Sequence, residues 1–494
     1  MSALMDKSGV KFGTSGARGL VRALTDEICY ALTTAFLQHL VGGNGSRKPT
    51  DVGIAGDLRS STGRMMAAVT RACLDFGHRP LNCGRIPTPA LALFGLERAI
   101  PTIMVTGSHI PDDRNGIKFN TPLGEILKHD EAGIKRQQIA LPDLFDEGGM
   151  LLPQAVSAPL TLVEEAERLY VRRFLSAFPD ALFEGKRIGV YGHSAVGREI
   201  LCEILRALGA EVVRLGFSDT FIPVDTEAIR PVDMELAVRW AQQHTLMAIV
   251  STDGDSDRPL VSDENGVWLR GDVAGILCAK FVRADVVVTP VSSNTAVERS
   301  GFFPRVARTR IGSPFVIEAM QRAVADGGKC VVGYEANGGF LTSSPIELPG
   351  GSLSPLPTRD AIIVILGILS IAVKDDVAIS TVLGRLPSRH TASDRLTDFP
   401  TERSAAIVHR LTGLDPVELS AALGGSFGRA TAVDTTDGLR ITFDSGDIVH
   451  LRPSGNAPEL RCYAEGDTEQ RAREIASTVL QLVRTVFGTS PVFP

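Results

Sequence analysis

Three carboxylates stand at alternate positions in Ser251-Thr252-Asp253-Gly254-Asp255-Ser256-Asp257-Arg258, directly after the apolar run Met247-Ala248-Ile249-Val250. Like charges packed this closely repel one another and need a compensating cation. On a loop at a strand end, the alternate spacing lets all three converge on one hard divalent cation such as Mg²⁺. The same residues also match the start of a calcium loop, with Glu264 at its twelfth position. That reading fails because Arg258 stands where the loop needs glycine, and because the preceding run is strand-like, not helical. The plainer alternative is a solvated acidic turn. Arg258 itself suits a phosphate, whose oxygens a guanidinium can pair in a fork.

Four further stretches carry residues that could do chemistry. In Thr106-Gly107-Ser108-His109-Ile110-Pro111, followed by Asn115-Gly116-Ile117-Lys118, a hydroxyl lies beside an imidazole and near an amine. That set could make a nucleophile with proton-transfer partners. Pro111 and Asn115-Gly116 read equally as turn residues. Gly13-Thr14-Ser15-Gly16-Ala17-Arg18-Gly19 can offer backbone N–H groups and the Arg18 charge to an anion. Glu335 and Asn337, in Gly333-Tyr334-Glu335-Ala336-Asn337-Gly338-Gly339, suit vicinal sugar hydroxyls. Arg452-Pro453-Ser454-Gly455-Asn456-Ala457-Pro458-Glu459-Leu460-Arg461 has the charges, hydroxyl, amide and glycine turn of a phosphate cradle. Taken singly, each of these is also a common surface turn.

The elements that must position these loops alternate between strand and helix. Strands are predicted at 51–56, 102–106, 187–191, 285–289 and 329–333, and helices at 62–76, 164–178, 198–208 and 359–373. Strands interleaved with helices place functional loops at strand ends in an α/β layer. The loop Gly192-His-Ser-Ala-Val-Gly197 follows a strand but is too poor in glycine for a dinucleotide fingerprint. The small, uncharged stretch 152–159 reads as a linker. Rising polarity after Lys374 marks another boundary. The last segment predicts strands at 438–443 and 447–451 and a terminal helix at 468–487. The expected division is 1–157, 158–266, 267–387 and 388–494: three similar mixed α/β domains and a smaller C-terminal α+β domain.

At 494 residues, about three or four domains are expected. A net charge of −6 gives no reason to expect nucleic acid or an anionic membrane as partner. Seven scattered cysteines without a CxxC pair read as reduced thiols in a cytoplasmic protein. The longest apolar run, 361–373, is too short to span a bilayer and fits a buried helix.

In their order and spacing, the five loops resemble the α-D-phosphohexomutase family, and the resemblance runs from Phe12 to Glu465. It implies four domains around a central cleft, one loop from each, and a phosphoryl group carried on Ser108. Mg²⁺ would be held by Asp253, Asp255, Asp257 and a phosphate oxygen on Ser108. Lys118 matches the family's general acid/base, with Arg18 and His109 assisting. Arg258, Glu335 and Asn337 would contact the substrate. Arg452, Ser454, Gly455, Asn456 and Arg461 would hold the phosphate that is not reacting. The resemblance further implies interconversion of hexose 1-phosphate and hexose 6-phosphate through a hexose 1,6-bisphosphate, in a monomer or homodimer whose partner is a small sugar phosphate.

Three departures bear on the choice of sugar. Thr-Gly-Ser-His-Ile-Pro replaces the usual Thr-Ala-Ser-His-Asn-Pro. Asn-Gly-Gly replaces Ser-Gly-His, and Ser-Gly-Asn-Ala-Pro replaces Ser-Gly-Thr-Glu-Pro. The Ser-His-Ile-Pro and Asn-Ala-Pro variants look most like the family's bacterial phosphomannomutases. Phosphoglucomutase or phosphoglucosamine mutase specificity is the alternative within the family. A metal-dependent sugar phosphatase is the alternative in a different class.

Overall fold

The computed structural model describes residues 1–13, 16–42, 49–423, 425–454 and 458–487. Contacts divide the chain into one unit of Met1–Val287 and Gly312–Val382, and a second of Val288–Ile311 and Leu383–Pro494.

The first unit opens on a seven-stranded mixed sheet. Its order is Lys11–Phe12, Ala17–Leu20, Arg114–Thr121, Thr102–Val105, Asp51–Gly56 and Arg79–Gly84, with Gly124–Glu125 paired to Arg114–Thr121. The strands Asp51–Gly56, Arg79–Gly84 and Thr102–Val105 run parallel, joined through the helices Thr62–Asp75 and Thr88–Arg98. Asp51–Gly56, Thr102–Val105 and Arg114–Thr121 are buried along nearly their whole lengths, as expected when both faces of a sheet are covered. A core of Ile54, Val105, Ile117, Phe119, Phe36 and Met65 fills one side. The helix Asp26–Val41 starts where Thr25 caps it, the hydroxyl accepting from Ile28 N at 3.3 Å.

A second sheet has the order Pro259–Val261, Ala248–Thr252, Arg187–His193 and Glu211–Phe217. Its three long strands are parallel, and Pro259–Val261 returns antiparallel after the acidic loop. The loop is therefore the turn of a hairpin at the edge of a parallel sheet. Farther along, Val331–Tyr334 and Phe340–Thr342 form another antiparallel pair with Glu335 to Gly339 as its turn. The predicted apolar helix spans Ala361–Asp375 and is buried on almost every side, capped by Asp360. No helix among the described residues is long and apolar enough to cross a membrane.

The second unit contains a five-stranded antiparallel sheet ordered His390–Leu396, Leu460–Gly466, Ile448–Pro453, Leu439–Phe443 and Ala430–Asp434. The helices Thr401–Thr412 and Glu469–Leu482 pack on it through Leu411, Ile475 and Val479. This is the α+β plan expected of the C-terminal segment. The terminal helix ends its regular turns at Leu482 and continues as a π-turn over Val483–Phe487.

One local expectation is corrected. Asn115-Gly116 are not a turn but sit inside the strand Arg114–Thr121, opposite Gly19 and Arg18. Asn115 is fully buried, and its amide donates to the hydroxyls of Ser61 at 2.9 Å and Thr62 at 3.2 Å, which removes its usual reason to favour a turn. Gly116 is required by close approach: a Cβ there would lie 2.6 Å from Ala17 O and 3.0 Å from Thr106 O. Gly116→Ala is therefore expected to destabilise the first unit by about 1–3 kcal/mol, the usual range for overpacking, seen as a lower thermal midpoint.

Candidate active site

The hairpin turn after Ala248–Thr252 brings Asp253, Asp255 and Asp257 together with no exposure to solvent. One carboxylate oxygen from each lies within 4.8 Å of the others. Asp253 Oδ1 caps its own loop, accepting from Asp257 N and Arg258 N, both at 3.2 Å. Its Oδ2 accepts the Ser108 hydroxyl at 2.5 Å. Two residues 145 positions apart thus meet directly. The approach depends on Gly254, where a Cβ would come within 2.5 Å of Ser108 O and 3.2 Å of the Phe221 ring.

The loop is braced from behind. Val196 N donates to Gly254 O at 3.0 Å, and Gly197 N to Ser256 Oγ at 2.9 Å. The stretch 192–197 therefore supports the acidic loop. Thr88, at the start of the helix Thr88–Arg98, donates its hydroxyl to Asp255 Oδ2 at 2.6 Å and its N–H to Asp255 O at 3.0 Å. A helix N-terminus favours a nearby carboxylate.

Four cations surround the carboxylates. Lys118 Nζ donates to Asp255 Oδ2 and Asp257 Oδ2, both at 2.6 Å. Arg258 Nε lies 3.7 Å from Asp257 Oδ1 and 4.0 Å from Asp253 Oδ2. It is buried and donates to no acceptor among the described residues. Arg359 was missed in the sequence. It donates to Asp257 Oδ2 from Nε at 3.0 Å and Nη2 at 2.9 Å, and to Glu335 Oε2 from Nη1 at 3.0 Å. Its signal was Thr358-Arg359-Asp360 directly before a mostly apolar helix, where a buried cation needs a partner. Arg18 stands opposite Gly116, one strand away from the lysine's strand position, and its guanidinium is lowered to about 10 by burial and by Arg258.

These partners divide the triad. Burial pushes Asp257 upward, but Arg359, Lys118 and Arg258 outweigh it and hold its carboxyl below the ordinary value. Burial and Asp257 likewise push Asp255 up, and Lys118 and Thr88 bring it below. Asp253 goes the other way, well above the carboxylate range, through burial and the charges of Asp255 and Asp257. Asp255 Oδ1 and Asp257 Oδ1 are buried and accept no hydrogen bond among the described residues. A buried oxygen without a donor is costly, and a cation would satisfy it. Three converging carboxylates, two with an oxygen that accepts no hydrogen bond among the described residues and the third pushed upward by burial and the charges of the other two, fit a hard divalent cation.

Ser108 has a left-handed backbone, φ 57°, uncommon for a residue with a side chain. His109 Nδ1 lies 3.2 Å from Ser108 Oγ. Burial and the charges of Arg258 and Arg18 lower the imidazole well below its ordinary value, so it is neutral near pH 7. The serine's single proton goes to Asp253, which leaves Nδ1–H as the donor between ring and hydroxyl.

Glu335 and Asn337 sit in the second hairpin turn, both buried. Glu335 gives one oxygen to Arg359. Asn337 Oδ1 accepts Gly339 N at 2.9 Å and closes the turn, so its amide N–H₂ is the part left for a ligand. Thr226 Oγ1 fixes the same turn by donating to Asn337 O at 2.8 Å.

In the second unit, Arg452 and Arg461 are directly opposed on neighbouring strands, and Arg395, not singled out in the sequence, opposes Arg461 from the other side. Cross-strand partners share a face, so this is a row of like charges that an anion would relieve. Asp437 pairs with Arg452 at 2.9 Å, and Glu459 with Arg461 at 3.4 Å and Arg395 at 3.3 Å. Ser454 is buried beside the row. Gly455 and Asn456 lie outside the described residues.

Two outcomes follow. Asp253 binds its proton more tightly folded than unfolded. Below the unfolded value of about 3.9 both states are protonated and nothing is lost. As pH rises from there through the raised folded value, metal-free protein loses stability. Asp253→Asn should remove this component, so the wild-type and variant thermal midpoints separate over that window. A divalent cation needs ionised Asp253, so its stabilisation of the wild type should grow with pH over the same window and shrink in the variant. Arg359→Met removes the buried cation that Asp257 and Glu335 share, leaving Asp257 to Lys118 and the more distant Arg258, and should cost roughly 3–5 kcal/mol, read by thermal or denaturant unfolding.

All four domain models of one family match the chain. These are phosphoglucomutase/phosphomannomutase alpha/beta/alpha domains I at residues 9–140, II at 170–266 and III at 270–390, and the C-terminal domain at 406–482. A phosphomannomutase of Salmonella muenchen is 42% identical over 485 residues, covering 98% of each chain. A phosphomannomutase of Sinorhizobium fredii is 40% identical over 479 residues, covering 97% of this chain and 99% of its own. A crystal structure of a phosphoglucomutase/phosphomannomutase family protein from Burkholderia thailandensis superposes with a TM-score of 0.73 at 17% identity, covering 97% and 98%. With a hydroxyl set on a buried acidic triad and likeness along its whole length, this chain belongs to the phosphoglucomutase/phosphomannomutase family.

Proposed function

We propose that this chain is a phosphomannomutase-type phosphohexomutase. It interconverts hexose 1-phosphate and hexose 6-phosphate through a phosphoserine at Ser108 and a hexose 1,6-bisphosphate. The observation that carries the reading is the Ser108 hydroxyl lying 2.5 Å from Asp253 in a triad where Asp255 Oδ1 and Asp257 Oδ1 accept no hydrogen bond among the described residues. The two phosphomannomutases at 40–42% identity support mannose as the sugar.

Phosphoryl transfer asks for positioning and charge stabilisation more than for covalent help. Asp253, Asp255 and Asp257 would hold Mg²⁺, with a phosphate oxygen on Ser108 completing the set. When bound, the ion supplies neutralisation of charge on the transferring phosphoryl oxygens. The Oδ1 atoms of Asp255 and Asp257, which accept no hydrogen bond among the described residues, would be available to it while Lys118 keeps its bonds to the Oδ2 atoms.

The other roles belong to side chains. Arg258 Nε, buried and without an acceptor among the described residues, is placed to pair a phosphoryl oxygen. Acting from its neutral amine form, Lys118 takes the proton from the sugar hydroxyl as the bond from phosphorus to Ser108 Oγ breaks and the bond to the sugar oxygen forms, and Ser108 Oγ regains a proton to become the hydroxyl. Neutral His109 and charged Arg18 flank this exchange. Glu335 and the Asn337 amide bind sugar hydroxyls. Arg452, Ser454, Gly455, Asn456 and Arg461 grip the phosphate that is not reacting. The bisphosphate turns over and returns its other phosphoryl group to Ser108. The four-domain division at 157/158, 266/267 and 387/388 belongs to this reading.

A coupled assay with mannose 1-phosphate and glucose 1-phosphate side by side, with Mg²⁺ and catalytic hexose 1,6-bisphosphate, tests it. The expected result is faster turnover of the mannose substrate, abolished by chelation. Equal rates would remove the mannose preference. Ser108→Ala should lose on the order of 10⁴-fold or more in kcat. Retained turnover with release of free phosphate would instead favour a metal-dependent sugar phosphatase.

A further inference from the structure

Arg59 is the largest fully buried side chain of the first unit that touches neither the triad nor the sugar turn, and it is only 2% exposed. Its guanidinium has five N–H donors, and each has an acceptor. Nη2 donates to Ser108 O at 2.9 Å and Ile110 O at 2.5 Å. Nη1 donates to Pro111 O at 2.7 Å and Arg114 O at 3.0 Å. Nε donates to Asp57 Oδ2 at 3.1 Å. One planar fork therefore ties down four carbonyls of the segment 108–114.

Asp57 fixes the same segment from the other end. Its carboxylate accepts the Thr106 hydroxyl at 2.7 Å, Gly107 N at 3.2 Å and the Thr62 hydroxyl at 2.7 Å. The Thr106 hydroxyl oxygen accepts Ser108 N at 2.8 Å. The backbone N–H and C=O of Ser108 are thus both held, directly or through one hydroxyl, by a single buried ion pair. They are held in a left-handed conformation, φ 57°, that a residue with a side chain does not favour by itself. From that conformation Ser108 Oγ reaches Asp253. The Phe221 ring covers the guanidinium at 4.0 Å from its centroid and also lies against Gly254 of the acidic loop. Arg59 and Phe221 together therefore set the Ser108 loop against the acidic loop.

We propose that Arg59, braced by Asp57 and covered by Phe221, is a positioning residue for phosphoryl transfer: it holds Ser108 in the left-handed conformation that points Oγ at the triad. This rests on the reading of Ser108 as the phosphoryl carrier. A purely structural Arg59 would change the unfolding temperature and leave turnover of the folded enzyme alone. A positioning Arg59 changes kcat and spares substrate binding, because all five of its N–H donors are already committed to Asp57 and the 108–114 carbonyls.

The test uses the full chain. Arg59→Lys keeps the charge but has one point donor in place of a fork over four carbonyls. Phe221→Leu removes the ring cover and leaves Arg59 intact. For each variant, kcat and KM with mannose 1-phosphate are measured below its unfolding temperature, together with transfer of label from hexose 1,6-bisphosphate to Ser108. Arg59→Lys should lower kcat and the labelling rate by about 100-fold, as a displaced reacting group does. KM should stay within about threefold. Phe221→Leu should lower both rates by about tenfold, and it decides alone if Arg59→Lys does not fold. Folded variants with kcat and labelling within threefold of wild type, or a loss confined to KM, would overturn the positioning role while leaving the phosphoserine reading intact. A wild-type enzyme that takes no label on Ser108 would overturn both.

Discussion

Three buried carboxylates in one hairpin turn are the constraint on which the first unit is built. Ionised groups taken out of water are expensive unless they are paired and hydrogen-bonded. Asp257 is therefore met by Arg359, Lys118 and Arg258, and Asp255 by Lys118 and Thr88. Asp253 is left with only a hydroxyl, backbone donors and a distant guanidinium, and burial with the charges of its two neighbours pushes its carboxyl well above the ordinary range. The unevenness is what makes the cluster a site. A cation entering it relieves the repulsion on Asp253 and the two orphaned oxygens at once.

That cluster also explains where the surrounding elements had to go. Lys118 comes from a strand of the first sheet, Thr88 from the start of a helix beside it, and Arg359 from the residue before the cap of a buried helix. Lys118 and Thr88 arrive on rigid secondary structure, and Arg359 on the residue next to a helix cap, which keeps a charge in place better than a loop does. The exception is Ser108. It lies on a loop with a disfavoured backbone angle, so its rigidity has to come from somewhere else. The buried Asp57–Arg59 pair under the Phe221 ring supplies it, with every donor of the guanidinium committed to the loop or its brace.

Local chemistry in the sequence was enough to find the loops. Alternate carboxylates after an apolar strand, a serine beside a histidine, and a glutamate between glycines each mark a turn with reactive side chains. The α/β alternation and the α+β ending were legible too, because apolar periodicity and turn residues are local signals. Asn115-Gly116 misled for the same reason. As a dipeptide it is strong turn chemistry, and only burial of the amide against Ser61 and Thr62 puts it inside a strand.

By itself, then, the sequence determined which residues could do chemistry and which elements they ended. It did not determine which charges face which. Thr88, Arg395 and the Asp57–Arg59 pair left no motif, and Arg359 only its place before an apolar helix, because an arginine or threonine acquires its role from the carboxylate that tertiary packing sets against it. The same holds for the triad. Spacing said that three aspartates could share a cation, but their ionisation depends on burial and on partners about a hundred or more residues away in the chain. Only the folded arrangement decided that Asp255 and Asp257 are pushed toward the charged form, that Asp253 is pushed the other way, and that the hydroxyl of Ser108 is its nearest side-chain partner.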